Sequence, residues 1–543
     1  MKPNLRCLFG TLAAAVAMSP ALADTPQVLW TWSFPPFSIN DNVECVLGGP
    51  DFDGDGYPDA LVAAEDYKVR ALSGHSTNPP AVIWTFGGAD EKPISDRALS
   101  LYWPDRDGDG KPEILYNTGT NDRSVHFLRS SNGTEIWGFD LRSTGCTDLA
   151  WLYGAVPIGD VTGDGVPDVA SVSGGPCNKV FVVDAATGTL AWQYTAVDGC
   201  RSVAAAGDMT GDGIPDVLAG CGTNNSDNRV MLLSGALSPQ NRVIWQHYAA
   251  KMVAAVGKVQ DFTGDFVEEA IAGSWDGTAF MVSGGSAGTV PSPLWETAVG
   301  GSSAWVSHTL VIPDLDGDCV DDIAVASWTP QARILSGRTG SPLWTSQPIG
   351  TANYAYTGAI IPDVTGDAQW DLVVGAGTTG GGGGFVALFS GLGGEKIWEW
   401  SVSRNVKSVA WIGDISGDGL PDVLAGAQDL ASAYALSGRA LGACIRPTGE
   451  VAGLRASRLD SVRVQLTWDA STDVCHDRYR VYGVPAEVRG LDGCYAHLMD
   501  ITDQDEDGDA TNGAFSGPGE FFGYLVIDQG AAGGKGPLGH FRR

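Results

Sequence analysis

Nine residues, DFDGDGYPD at Asp51–Asp59, constrain this chain more than any other feature, because their chemistry recurs seven more times. The copies begin at Asp105, Asp160, Asp208, Asp261, Asp314, Asp363 and Asp414. Position 3 is Asp53, Asp107 or Asp316 in three copies, and a hydroxyl (Thr162, Thr210, Thr263, Thr365 or Ser416) in five. Position 5 is always aspartate: Asp55, Asp109, Asp164, Asp212, Asp265, Asp318, Asp367 and Asp418. Position 9 is Asp59, Glu113, Asp168, Asp216, Glu269, Asp322, Asp371 or Asp422. A short loop with oxygen side chains at 1, 3, 5 and 9 suits a hard cation such as Ca²⁺, which takes six to eight oxygens. Gly at position 4 in every copy gives the backbone freedom to curl around it. The pattern is not an EF-hand, since Val62 stands where position 12 would need Glu and an apolar strand follows.

Position 6 is Gly in five copies but Phe266, Cys319 and Ala368 in the fifth to seventh, where a side chain strains a left-handed turn and weaker ion binding is expected. The Asp-rich first and second loops are expected to attract an ion most strongly. The sixth combines the same charge with Cys319 and is left unranked.

A second marker interleaves with the first. An apolar residue followed by Trp recurs at Trp30, Trp84, Trp137, Trp192, Trp245, Trp295, Trp344 and Trp398, every 49 to 55 residues. Two markers with one period near fifty mean repeated supersecondary units. The third unit reads as four strands: a (152–158), b (169–173), c (179–184) and d (190–194), bounded by Gly, Pro and Asp and without helical periodicity. Four-stranded units in tandem predict propeller blades, with an open solenoid as the alternative. The chain ends decide between them: the eighth unit lacks its Trp strand, and a spare one, QVLWTW (27–32), precedes the first loop. The expectation is therefore an all-β chain, an eight-bladed β-propeller over residues 25–443 closed by its own N-terminal strand. After a linker, 449–543 alternates apolar and polar residues around Trp468 and predicts a small fibronectin type III-like β-sandwich.

The loop with its following strand, as in DGDGYPDALVAA and TGDGIPDVLAGC, resembles the FG-GAP repeat of integrin α-subunit propellers. That resemblance implies Ca²⁺ in the loops joining strands a and b, up to eight ions, on the face away from a bound ligand. The c–d turns, such as VVDAATGTLAW, also resemble the tryptophan-docking repeats of quinoprotein dehydrogenases, in which the Trp packs between blades. The adjacent cysteine pair those enzymes use beside their cofactor is not present.

Residues 1–23 read as a signal peptide: Lys2 and Arg6, an apolar run from Leu8 to Met18, then Ala21-Leu22-Ala23. No later run is long and apolar enough to span a bilayer. Export permits disulfides, and Cys146 with Cys177 and Cys200 with Cys221 each flank one acidic loop. Cys45, Cys319 and Cys444 have no evident partners. The formal charge of −31 repels nucleic acid, though much of it lies in the ligand positions, so ions would offset a large share.

Seven His residues fall in no zinc or nucleophile–base spacing, and packing or surface roles are expected for His247 and His308. The face opposite the acidic loops carries Trp151, Trp275, Trp305, Trp328, Tyr354 and Tyr356, aromatics suited to stack on a sugar or hold a peptide. The reading is a secreted or cell-surface calcium-binding propeller that serves as an adhesion or ligand-binding module for an extracellular protein or glycan. A polysaccharide-degrading enzyme using Asp276 or Asp148, or an exported scaffold, are the alternatives.

Overall fold

A computed structural model describes residues 25–440, apart from 35–41, 76, 89–90, 94, 147–148, 287–289 and 429–430, and beyond 440 only short strands between 455 and 540. The segment expected to be a signal peptide lies outside the described residues, as does Asp148. Eight antiparallel sheets follow one another along the chain, each with four strands in the spatial order a-b-c-d, the last of them taking its d strand from the N-terminus. The first blade is Val43–Gly48, Ala60–Ala64, Lys68–Leu72 and Val82–Gly87. The third is Ala150–Gly159, Asp168–Gly174, Lys179–Asp184 and Thr189–Thr195, two or three residues longer than the sequence predicts in three of its four strands. It also borrows a fifth strand, Gly119–Thr120, which pairs with Ala150 and Trp151 and which no local pattern announces. Among the described residues helix is confined to single turns at Leu141–Thr144 and Gly175–Cys177.

The eighth blade closes as the strand count requires. Pro26–Ser33 lies antiparallel to Ser432–Ala440, with Trp30 opposite Ala435 and Trp32 opposite Ala433. The Ser33 and Ser432 hydroxyls meet at 2.7 Å, and the Phe34 amide donates to Ala431 O. A ring closed by its first strand leaves no sheet edge for another chain to pair with at that seam.

Blade position explains composition. Every b strand is buried along its whole length, sandwiched between neighbouring sheets, and reads as a continuous apolar run such as ALVAA or DVLAGC. The d strands lie at the rim and alternate in exposure. Near the axis the sheets approach so closely that strand b needs glycine. A Cβ on Gly273 would come within 2.4 Å of Val306 Cγ1 in the next blade, and one on Gly426 within 2.8 Å of Val43 Cγ1 across the closing seam.

The tryptophans stitch the blades together at the rim. Each d-strand indole packs on the c–d turn of the following blade, and seven of the eight donate Nε1–H to a turn carbonyl there. The bonds run from Trp30 to Gly74 (3.0 Å), Trp84 to Ser130 (2.6 Å), Trp137 to Ala185 (2.9 Å) and Trp245 to Gly284 (3.0 Å). Those from Trp295 to Gly337 (2.8 Å), Trp344 to Gly391 (2.6 Å) and Trp398 to Gly438 (2.7 Å) complete the circle. Trp192 is the exception: Arg242 lies 4.2 Å over its ring and takes the flanking carbonyls of Ser234 and Ala236 itself. A glycine recurs in the c–d turn because the indole of the preceding blade lies directly against it. Gly188 has φ +71° and would drive a Cβ into Trp137, and Gly133, Gly340 and Gly394 sit the same way under Trp84, Trp295 and Trp344.

Cys146–Cys177 and Cys200–Cys221 are disulfides, as the flanking pattern suggests. Cys319, expected to lack a partner, is also disulfide-bonded, and its partner lies outside the described residues. Cys45 is a free, buried thiol, and burial pushes its pKa up to about 12. Beyond residue 440 two antiparallel sheets are described, one of Arg455–Arg458, Val464–Thr467 and Asp509–Asn512. The other joins Ala496–Ile501, His476–Pro485, Phe521–Gly530 and Gly539–His540. Trp468 and the connections that would define a fibronectin-like sandwich lie outside the described residues. Among the described residues no helix is long and apolar enough to cross a membrane.

Candidate functional site

All eight acidic loops join strand a to strand b at one end of the ring, and all adopt one conformation. The position-1 carboxylate accepts the amides of positions 4 and 6. Asp105, for example, takes Gly108 and Gly110 at 2.7 Å each, and Asp414 takes Gly417 at 2.6 Å and Gly419 at 2.7 Å. Those amides hold Asp105 below the usual carboxylate range. The position-5 aspartate accepts the amide of position 7 in every copy, as Asp55 does from Tyr57 at 2.9 Å. Position-3 aspartates accept from position 5, whereas the hydroxyls of Thr162, Thr210, Thr263, Thr365 and Ser416 face the position-1 carboxylate at 3.3–3.5 Å. The curl is left-handed at position 6 even without glycine: Phe266, Cys319 and Ala368 have φ of +67°, +64° and +63°. The strain expected there is present, and the backbone keeps the turn regardless.

Position 9 has a different task. Its side chain is buried in every copy, and Asp59 shows the pattern. One oxygen accepts the loop amides of Phe52 (2.5 Å) and Asp53 (3.3 Å), and the other accepts Gly74 N at 2.9 Å. Gly74 is the residue whose carbonyl receives the Trp30 indole. Seven copies tie the acidic loop in this way to the turn on which the preceding blade docks, whereas Glu113 accepts only loop amides and its Oε2 has no partner among the described residues. Burial pushes Asp59 up to about 6 and Asp322 to about 8, with Asp53 near the first and Asp316 and Asp314 near the second adding repulsion.

Carboxylate oxygens converge within 4.8 Å in four loops: Asp51, Asp53 and Asp59; Asp105, Asp107 and Glu113; Asp261, Asp265 and Glu269; Asp314, Asp316 and Asp322. Three of these are the Asp-rich loops. The fifth gathers its carboxylates although Phe266 replaces glycine. Among the described residues the loops at Asp160, Asp208, Asp363 and Asp414, each with a hydroxyl at position 3, do not bring three acidic groups this close. An all-oxygen set whose members repel one another fits a hard divalent cation, which supplies the missing positive charge.

At the opposite end, where the a strands begin, a cavity of about 140 Å³ opens in the channel mouth between Arg97, Tyr153, Arg201, Trp275, His308, Trp328 and Tyr356. Arg97 crosses the channel from the second blade and donates to Ala254 O and Ser307 O, at 2.7 Å each, in the fifth and sixth. Its neighbour Asp96 pairs with His308 at 3.1 Å. Burial works against the Asp96 carboxylate, but His308, Arg97 and Arg201 hold it down at about 2.

The aromatics expected on this face form a ladder. Trp275 stacks on Trp305 (centroids 4.3 Å, planes 5° apart), Trp305 meets Trp328 at 4.4 Å, and Trp328 stacks on Tyr354 at 4.8 Å. Arg201 extends it, 5.3 Å from Trp275 and 4.9 Å from Tyr153. Most ring faces are covered by one another, leaving chiefly edges for a ligand. Trp151 stands apart and exposed, and Tyr356 neighbours Lys407. Asp276 is consumed by its own turn, accepting from Thr278 N and Oγ1 and from Ala250 N. Asp96, Arg97 and Arg201 carry no motif. The available signal was a charged pair, Asp96-Arg97, directly ahead of an innermost strand.

Residues 51–116 match the FG-GAP-like repeat family. No curated protein matches the chain. Among solved structures, Sqt1 from Chaetomium thermophilum is 12% identical with a TM-score of 0.53, covering 76% of this chain and 100% of that one, and shares the fold. The computationally designed Ika8 protein (12% identity, TM-score 0.47, 76% of this chain and 99% of that one) also matches. So does BamB from Moraxella catarrhalis (12%, 0.45, 76% and 97%).

Proposed function

We propose that this is an exported propeller whose acidic loops hold Ca²⁺ and whose opposite mouth binds an extracellular protein or glycan, as an adhesion or ligand-binding module. One observation carries the reading: the acidic loops and the aromatic, charged cavity occupy opposite ends of one closed ring. The resemblance to integrin α propellers implies the same division of faces. The four converging carboxylate sets are the primary ion sites, with positions 1 and 3 or 5 reaching the ion and position 9 relaying its charge to the blade-docking turn. The bound ion would supply fixed positive charge and no redox chemistry. Two disulfides support export to an oxidising compartment.

Asp276 is committed to its turn, and Asp148, the other candidate acid of the polysaccharide-degrading alternative, lies outside the described residues. A glycan array and a matrix-protein screen, run beside an assay for new reducing or unsaturated sugar ends, test the proposal. Saturable binding without new chain ends is expected. Production of new ends would replace the module by an enzyme, and no binding to either panel would leave a scaffold.

A further inference from the structure

Resting on the reading of the mouth as a ligand site, we propose that its cavity takes the ring of an acidic sugar, whose carboxylate or sulfate is held by Arg201. Three features lead there. Arg201 lines the cavity, partly buried against Tyr153 and Trp275, and its guanidinium has no hydrogen-bond acceptor among the described residues. An arginine so placed carries several unspent donors in the fork geometry that matches a planar anion. The local charge also runs against the protein as a whole. In a chain of formal charge −31, this cavity is lined by Arg97 and Arg201 with Asp96 as its one carboxylate.

His308 separates a sugar from an acidic peptide. It is 9% exposed, its Nε2 faces Asp96, and its buried Nδ1 has no hydrogen-bond partner among the described residues. Nδ1 donates in the imidazolium and accepts in the neutral ring, and a sugar hydroxyl, which both donates and accepts, satisfies either form. A sugar brings such a hydroxyl and an anionic group for Arg201 on one ring, whereas an ionised aspartate or glutamate side chain brings acceptors alone. The size agrees: about 140 Å³ is close to the ~150 Å³ that houses a benzene ring, so one six-membered ring fits. Because the indole faces are largely spent on each other, a neutral sugar relying on stacking finds little purchase.

The test is an array of uronate-containing and sulfated oligosaccharides, each beside its carboxyl-reduced or desulfated counterpart, with oligoglutamate as the peptide arm. Hits are titrated against the full chain by calorimetry and tryptophan fluorescence. Binding of acidic members at least tenfold tighter than their counterparts, weakening as salt rises, is expected. Arg201→Met should lower that affinity at least tenfold with an unchanged melt. If this variant does not fold, Arg201→Lys, which keeps the charge but not the fork, should show a smaller loss. Equal affinity for neutral counterparts would overturn the acidic-sugar inference while leaving the ligand-binding reading intact, and oligoglutamate bound as tightly would replace the sugar by an acidic peptide. If no glycan or peptide binds by either readout, this inference fails, while the reading beneath it fails only if the matrix-protein screen is also blank.

Discussion

Removing the Trp30 indole tests ring closure most sharply. The side chain is 1% exposed, packs with Trp32, Val46, Leu72 and Ala435 across the seam of the first and eighth blades, and donates to Gly74 O at 3.0 Å. Truncating a buried Trp to Ala costs about 3–5 kcal/mol through lost burial and the cavity left behind. Trp30→Phe separates the terms, since it keeps most of the apolar ring and leaves Gly74 O without its donor, at about 1–3 kcal/mol. Trp84 makes the equivalent bond between the first and second blades, so Trp84→Ala is the matched control. Removing residues 25–34 should do more than either, because it leaves Ser432–Ala440 paired on one edge only and opens the ring. Urea unfolding followed by fluorescence gives the free energies. The reasoning expects the order Trp30→Phe, then Trp30→Ala, then the truncation, with a synthetic PQVLWTWS peptide restoring part of the last. A truncated protein that unfolds with the full chain's midpoint would refute closure by the first strand.

Two further outcomes follow from single sites. Gly273→Ala places a methyl within 2.4 Å of Val306 and should cost about 1–3 kcal/mol by overpacking, measurable as a lower urea midpoint. His126 is buried between Asp122 (2.6 Å) and Glu135 (2.7 Å); burial lowers its pKa, but the two carboxylates outweigh it and raise it to about 9. A group raised on folding stabilises fully below its unfolded pKa near 6.5 and loses that contribution as pH climbs through 9. The wild type should therefore lose on the order of 3 kcal/mol between pH 6 and pH 10 that His126→Gln does not lose; parallel pH profiles would contradict the assignment.

The fold was legible because it repeats. Trp30 and the missing eighth Trp strand disclosed closure, and the cysteines flanking two loops disclosed their disulfides. Position 9 was legible as an acid but not as the link to the Trp dock, since Gly74 and its counterparts lie 15 or more residues away in sequence. The mouth was legible only as a set of aromatics. The Asp96-Arg97 pair, Arg201 and His308 come from three different blades, meet only once the ring closes, and recur in no other unit, so periodicity cannot reveal them. The stacking of Trp275 on Trp305 also depends on neighbouring blades, and it turns expected stacking platforms into a mutually covered ladder.

The account stands or falls on whether the acidic loops hold calcium that pins the blades. The direct measurement is thermal unfolding of the full chain after chelation and again after Ca²⁺ is restored, with bound calcium counted on the same sample. Ligand present at a hundred times its Kd stabilises by about 2.7 kcal/mol per site. The expected result is at least four ions per chain, for the four converging carboxylate sets, with a marked fall in Tm on chelation that Ca²⁺ reverses. A calcium-free chain that melts where the calcium-treated one does would contradict it.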